Sequence, residues 1–215
     1  MNFWSYVGNR YTQLLTDTYQ HASAVFQCMV AATVLGVALG VAAYRSERAG
    51  NLAVLSTATV LTIPSLAMIG LLIPVTGLGV APTVTALILY GLLPIVRNTI
   101  VGLRGVDPAL VDAARGIGMS RRALLLRVEL PLAWPPILTG IRVSTQMLMG
   151  IAAVGAYASG PGLGNEIFRG LSSLGSANAL NQVAAGTLGI VVLALLFDAA
   201  YVLLGRLTIS RGIRA

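Results

Sequence analysis

Residues 183–204 read VAAGTLGIVVLALLFDAAYVLL and carry a single charged side chain, Asp198. A helix rises about 1.5 Å per residue, so roughly 20 apolar residues cross the 30 Å or so of bilayer hydrocarbon. This stretch is long enough to do so. Four others match it: Ser23–Tyr44; Leu52–Ile73, interrupted by Pro64; Val80–Val101, with Pro82 near one end and Pro94 toward the other; and Leu132–Tyr157, which holds Arg142. The composition agrees, at 56% hydrophobic, 10% charged and a mean hydropathy of +0.84. Soluble domains carry about 25% charged residues. The expected fold class is therefore an all-α integral membrane protein with about five transmembrane helices, residues 1–215 forming one membrane domain with the lipid bilayer as its main solvent.

The net charge is +7, every basic residue is arginine, and the arginines sit mostly between the apolar runs. Nucleic acid is not the expected partner, because no aromatic residues interleave a basic patch for bases to stack on. Five spans put the termini on opposite sides. One side would hold Arg45, Arg48, Arg97, Arg104, Arg115, Arg121, Arg122, Arg127, Arg206, Arg211 and Arg214; the other only Arg10 and Arg169. Positive charge stays inside, so the amino terminus is expected outside and the carboxyl terminus in the cytoplasm of a bacterial cell (inner) membrane. Residues 102–131 then form a cytoplasmic segment and 158–182 an external loop. Residues 1–20 contain Arg10 and Asp17 before any apolar run, unlike a cleaved signal peptide. Cys28 is the one cysteine, so no internal disulfide forms, and with His21 the one histidine no His/Cys metal site is expected.

The cytoplasmic segment reads as two short helices. Asp107-Pro108 supplies an N-cap and a first-turn proline. Leu110, Ala113, Ala114 and Ile117 then follow helical spacing as one apolar stripe, which Gly116 and Gly118 end. Ser120 caps a second helix over Arg121–Glu129, which Pro131 is expected to stop. Spacing alone fits equally a helix in another protein's groove and an amphipathic helix resting on anionic lipid.

Asp112-Ala113-Ala114, Gly118, Val128, Leu130 and Pro131 resemble the "EAA" motif of permeases from binding-protein-dependent ABC importers: Glu-Ala-Ala, three residues, Gly, nine residues, Ile, one residue, Leu-Pro. Every spacing matches, with Asp for Glu at 112 and Val for Ile at 128. Further stretches are similar to the osmoprotectant branch, which imports glycine betaine, choline or carnitine. They include Thr62-Ile63-Pro64-Ser65-Leu66, Leu93-Pro94-Ile95-Val96-Arg97-Asn98-Thr99, Ala114-Arg115-Gly116-Ile117-Gly118-Met119 and Gly140-Ile141-Arg142. The likeness covers roughly residues 60–175; it departs at Pro161, where the branch more often has Gly. The resemblance implies a type I importer permease that pairs with a second permease, a copy or a paralogue. It also implies docking on two ATPase subunits that hold ATP and Mg, and delivery of solute by an extracytoplasmic binding protein. Leu110, Asp112, Ala113, Ala114, Ile117, Gly118, Val128, Leu130 and Pro131 would then form the ATPase-coupling element.

This chain has no lysine, hence no P-loop, and no catalytic constellation is expected in it. His21 is expected at the membrane interface. Arg142 and Asp198 lie inside spans, where charge is costly. They are expected to pair, with a charged lining of the pathway as the other reading. Pro64 and Pro94 are expected to kink their helices beside protein or water, and Thr62, Pro64 and Ser65 are candidates for the pathway wall. Gly36-x-x-x-Gly40 suits close helix packing. Aromatic residues beyond the first span are too sparse for a quaternary-ammonium cage, which places selectivity in the binding protein. The alternatives are a permease for another small solute such as an amino acid, or a free-standing secondary transporter. The latter would show inverted repeats, and five spans show none.

Overall fold

The structure, a computed structural model, describes residues 2–209, so Arg211 and Arg214 of the charge count lie outside the described residues. The described residues form helices α1 (Phe3–Asn9), α2 (Tyr11–Ala43), α3 (Glu47–Thr62), α4 (Ser65–Thr76), α5 (Val80–Arg104), α6 (Pro108–Gly116), α7 (Arg121–Leu124), α8 (Leu130–Val154), α9 (Gly164–Ser172) and α10 (Ala179–Thr208). A π-helical turn, Leu125–Glu129, joins α7 to α8, and a 3-10 turn, Gly155–Ala158, follows α8. The runs α2, α5, 121–158 and α10 are each long and apolar enough to cross a bilayer; α3 and α4 are so only when taken together, and they are bent by 95° at the break between them.

α5 sits at the centre, packed against α2, α3, α4 and α8. Two glycines let α2 approach it: a Cβ on Gly36 would lie 2.7 Å from Ile95 Cγ2, and one on Gly40 would lie 2.6 Å from Thr99 Cβ. The Gly36/Gly40 pair therefore seats α2, as its spacing suggests.

Four elements differ from the sequence expectation. α2 starts at Tyr11 rather than Ser23. Its 33 residues span about 50 Å, more than the hydrocarbon needs, because the helix continues through the polar residues Thr12, Gln13 and Asp17, whereas hydropathy marks only the apolar part. The second span does not kink at Pro64 but breaks there. Ile63 adopts the extended conformation imposed on a residue before proline (φ −71°, ψ 127°), and α4 restarts at Ser65. Pro94 behaves otherwise, since α5 runs through it unbroken, and the Asn98 amide donates to its carbonyl at 2.8 Å. Pro131 does not stop a helix either. The Leu130 N–H reaches back five residues to the Leu125 carbonyl, and this wider turn makes room for a ring that lacks an N–H. Finally, the 158–182 loop contains a helix, α9, packed on α10.

Candidate functional site

The expected coupling residues lie where the arginines cluster. Asp107 Oδ1 accepts from Ala109 N at 2.8 Å and starts α6 with Pro108 at its first position. The end of α6 is a complete glycine stop: Gly118 N donates to Arg115 O and Met119 N to Ala114 O, with Gly118 at φ +84°. Nothing lies within 4 Å of where a Gly118 Cβ would point. Glycine is needed here for its dihedral angle, and close approach by another part of this chain plays no role.

The apolar stripe is split. Leu110 is 48% exposed and Ile117 78%, whereas Ala114 is 6% exposed and covered by this chain itself. α7 and the π turn lie against α6 and cover only its middle turn. Asp112 and Ala113 are exposed, and Asp112 meets Arg115 at 3.6 Å. Val128 and Leu130 are half-buried and Pro131 exposed. The expected coupling residues exposed in the isolated chain are thus Leu110, Asp112, Ala113, Ile117, Gly118 and Pro131, whereas Ala114 is packed within the chain.

Beside α6 the structure assembles a trio that sequence reading missed. The Tyr44 hydroxyl donates to Glu129 Oε2 at 2.7 Å, Arg45 Nε donates to the same hydroxyl at 2.6 Å, and Arg45 Nη2 lies 3.5 Å from Glu129 Oε2. Arg104 ties the corner by donating to the Tyr44 and Ser46 carbonyls. Burial, and then the neighbouring Glu129 carboxylate, push the Tyr44 hydroxyl above the usual tyrosine range. Eighty-five residues separate Tyr44 from Glu129. The one sequence signal was an acidic residue inside an otherwise apolar run, Val128-Glu129-Leu130.

At mid-depth Arg142 and Asp198 are joined by two parallel bonds, Nε–Oδ1 at 2.5 Å and Nη2–Oδ2 at 2.7 Å. Arg142 is 12 residues from the start of α8 and Asp198 is 10 from the end of α10, about 18 and 15 Å respectively, so the pair lies well inside both apolar helices. Gln146 Nε2 adds bonds to Asp198 Oδ1 and the Ala194 carbonyl. The side chains of the pair are still 45% and 30% exposed in the isolated chain. Ions left facing lipid are costly; this face of α8 and α10 suits contact with protein or water.

Thr62 and Pro64 are exposed at the break and Ser65 is half-buried; Thr62 Oγ1 donates to the Thr59 carbonyl at 2.7 Å. The break hangs from α5, since the Tyr90 hydroxyl donates to the Ile63 carbonyl at 2.6 Å. Among the described residues no hydrogen bond or ion pair links it to Arg142 or Asp198, so the expected pathway residues form two separate places.

At the arginine-poor end a second trio recurs. Tyr6 donates to Glu166 Oε2 at 2.6 Å, and Arg169 Nη1 lies 2.9 Å from Glu166 Oε1. Arg169 also reaches Asp17, which takes a bond from Gln13. Burial, and then Glu166, raise the Tyr6 hydroxyl above the usual range. His21 is fully buried within the chain, with Nε2 3.1 Å from the Met149 carbonyl, because α2 carries it under the Gly162 turn.

Residues 32–210 match the family described as "Binding-protein-dependent transport system inner membrane component". The chain is 36% identical over 186 residues to the choline transport system permease protein OpuBB of Bacillus subtilis, covering 86% of this chain and 84% of that protein. It is 39% identical over 190 residues to the osmoprotectant import permease protein OsmW of Salmonella typhimurium, covering 86% of each. Among solved structures, the methionine ABC transporter MetNI in an inward facing conformation has a TM-score of 0.80 at 18% identity, over 94% of this chain and 99% of that one. At that identity the likeness speaks for the fold, that of type I ABC importer permeases. The chain belongs to the binding-protein-dependent transport system inner membrane components, the multi-helix membrane permeases of ABC importers.

Proposed function

We propose that residues 1–215 act as one transmembrane domain that passes quaternary ammonium osmoprotectants such as glycine betaine, choline or carnitine into the cell. The chain itself is non-catalytic. Two ATPase subunits supply ATP and Mg, a second permease copy or paralogue completes the pore, and an external binding protein delivers the solute. The amino terminus is outside and the arginine-rich end is cytoplasmic. The reading rests above all on identity with a choline permease and an osmoprotectant permease across most of each chain. For coupling, the supporting observation is α6 with its C-cap, where two large apolar side chains, Leu110 and Ile117, stand out in solvent beside Asp112 and Ala113. Exposed apolar residues on a capped helix suit a partner's groove. When the ATPases close on nucleotide, α6 passes their motion to the spans as alternating access. Thr62, Pro64, Ser65, Arg142 and Asp198 would line the route.

The test is reconstitution of the permease with its ATPase and binding protein in vesicles, followed by ATP-dependent uptake of labelled choline, glycine betaine and carnitine. At least one should accumulate. Ile117→Asp and Gly118→Asp should abolish uptake while the permease still inserts; the latter also forces a side chain into a left-handed conformation costing about 1–2 kcal/mol. Normal uptake in Gly118→Asp at wild-type abundance would remove α6 from the coupling role. Transport of an amino acid but of no quaternary ammonium solute would overturn the substrate assignment.

A further inference from the structure

At the arginine-rich end a cavity of about 480 Å3 is lined by Tyr44, Arg45, Arg115, Arg121 and Glu129. It gathers the end of α2, the end of α6, the start of α7 and the π turn. Three guanidinium groups face one carboxylate, and that carboxylate is already engaged: Glu129 Oε2 takes bonds from Tyr44 and lies against Arg45. Arg115 has only a loose, exposed pairing with Asp112 at 3.6 Å. Arg121 has no carboxylate partner among the described residues. The cavity therefore carries a surplus of positive charge that the chain itself does not neutralise.

Guanidinium groups converging on one space are suited to a tetrahedral oxyanion, which can accept several charge-assisted bonds at once. The position of the cavity narrows the choice. Tyr44 and Arg45 follow the last residue of α2, and Arg121 opens the apolar run 121–158, so the cavity lies beside the arginine-rich ends of two candidate spans. Basic pockets between spans on the cytoplasmic side accommodate anionic headgroups. The exposed apolar residues of α6, Leu110 and Ile117, do not line the cavity, so an occupant need not compete with their partner.

We propose that this cavity binds a phosphate ester, supplied by the headgroup of an anionic lipid. The inference takes the arginine-rich end as cytoplasmic, but the assay uses the purified full-length chain in detergent without transport, ATP or solute. Its failure therefore leaves the importer reading intact, and failure of the importer reading leaves the binding result standing. The probes are dioctanoyl phosphatidylglycerol, dioctanoyl phosphatidylcholine and glycerol 3-phosphate, titrated against the thermal unfolding of the permease. Phosphatidylglycerol should raise the unfolding temperature saturably and phosphatidylcholine should not. Arg121→Gln should weaken binding by about fivefold, and the double change Arg115→Gln/Arg121→Gln by about 25-fold, from the usual contribution of an arginine near an anionic headgroup. Arg48→Gln, at the same end but outside the cavity, should leave binding unchanged. Arg121-dependent binding of glycerol 3-phosphate as well would support the site with a soluble phosphate as an alternative source. Three results would overturn the proposal: no binding of either anionic probe, equal loss in Arg48→Gln and Arg121→Gln, or no binding together with loss of ATPase copurification in Arg121→Gln. The last would give the cavity to an acidic side chain of the ATPase.

Discussion

The two ends of the molecule use one chemical unit for different purposes. Tyr6, Glu166 and Arg169 at the arginine-poor end mirror Tyr44, Glu129 and Arg45 at the other; in each a tyrosine donates to a buried carboxylate that an arginine also holds. At the arginine-poor end the trio is extended by Asp17 and Gln13, so α1, α2 and α9 are locked to one another. At the arginine-rich end it forms the wall of a cavity, with Arg115 and Arg121 left facing the same space. Buried ionic groups cost desolvation and give it back only when every partner is present. The first end is thus built to stay closed, whereas the second keeps charge in reserve for something outside this chain.

The largest expected effect follows from that contrast. Glu166→Gln removes a carboxylate with no exposure at all, takes the charged acceptor from Tyr6 and leaves Arg169 with Asp17 alone, which should cost about 3 kcal/mol. Glu129→Gln should cost about 1 kcal/mol, since water in the adjoining cavity can replace the lost bonds and Arg45 is half-exposed. Thermal unfolding of the two variants in the same detergent checks the ranking. Equal losses would break the distinction between a locked end and a receptive one.

How much of this was legible follows from the range of each interaction. The spans were visible because twenty consecutive apolar residues have no other stable placement, and the Asp112–Pro131 spacing was visible because it is local. Proline was legible as a perturbation but not in its outcome. Pro64 breaks a helix, Pro94 is absorbed in one, and Pro131 is absorbed by a π turn; what surrounds each ring decides, and that is tertiary. The same holds for the stripe on α6, where periodicity finds the face but cannot say that Ala114 is packed while Leu110 and Ile117 stay exposed. Neither trio was readable, because Tyr6 meets Glu166 across 160 residues and Tyr44 meets Glu129 across 85. The Arg142–Asp198 pair was readable for the opposite reason, since two charges within spans at similar depth have few other partners.

That pair lies midway between the ends and gives an intermediate case. Its two parallel bonds should give a favourable coupling in a double-mutant cycle of Arg142→Ala and Asp198→Ala, held down by the partial exposure of both side chains. Asp198→Ala alone should reduce thermal stability or assembly more than it does in the Arg142→Ala background, because a lone arginine at this depth is worse than none. Additive losses would show that the two residues act separately and would leave α8 and α10 held by Trp134–Thr208 and Thr145–Tyr201.

The smallest expected effect concerns alkaline stability and uses the tyrosines of both trios. Tyr6 and Tyr44 have hydroxyl pKa values raised above the ordinary 10.0, each by burial first and by its glutamate second. The folded chain therefore holds these protons more tightly than the unfolded chain does. Stability follows the difference in bound protons between the two states, so the contribution is complete below about pH 10 and declines as pH rises from there through the folded values. Replacing either tyrosine by phenylalanine removes one titrating hydroxyl along with its hydrogen bond. The variant should start less stable near neutral pH, then lose stability less steeply than the wild type above pH 10. The Tyr6→Phe curve should flatten more, because its hydroxyl lies against a fully buried carboxylate, whereas Tyr44 borders a cavity that water and hydroxide can enter. Unfolding temperatures of the wild type and both variants between pH 8 and 11 provide the measurement. Parallel curves for all three proteins would mean that neither hydroxyl is held in its protonated form by the fold.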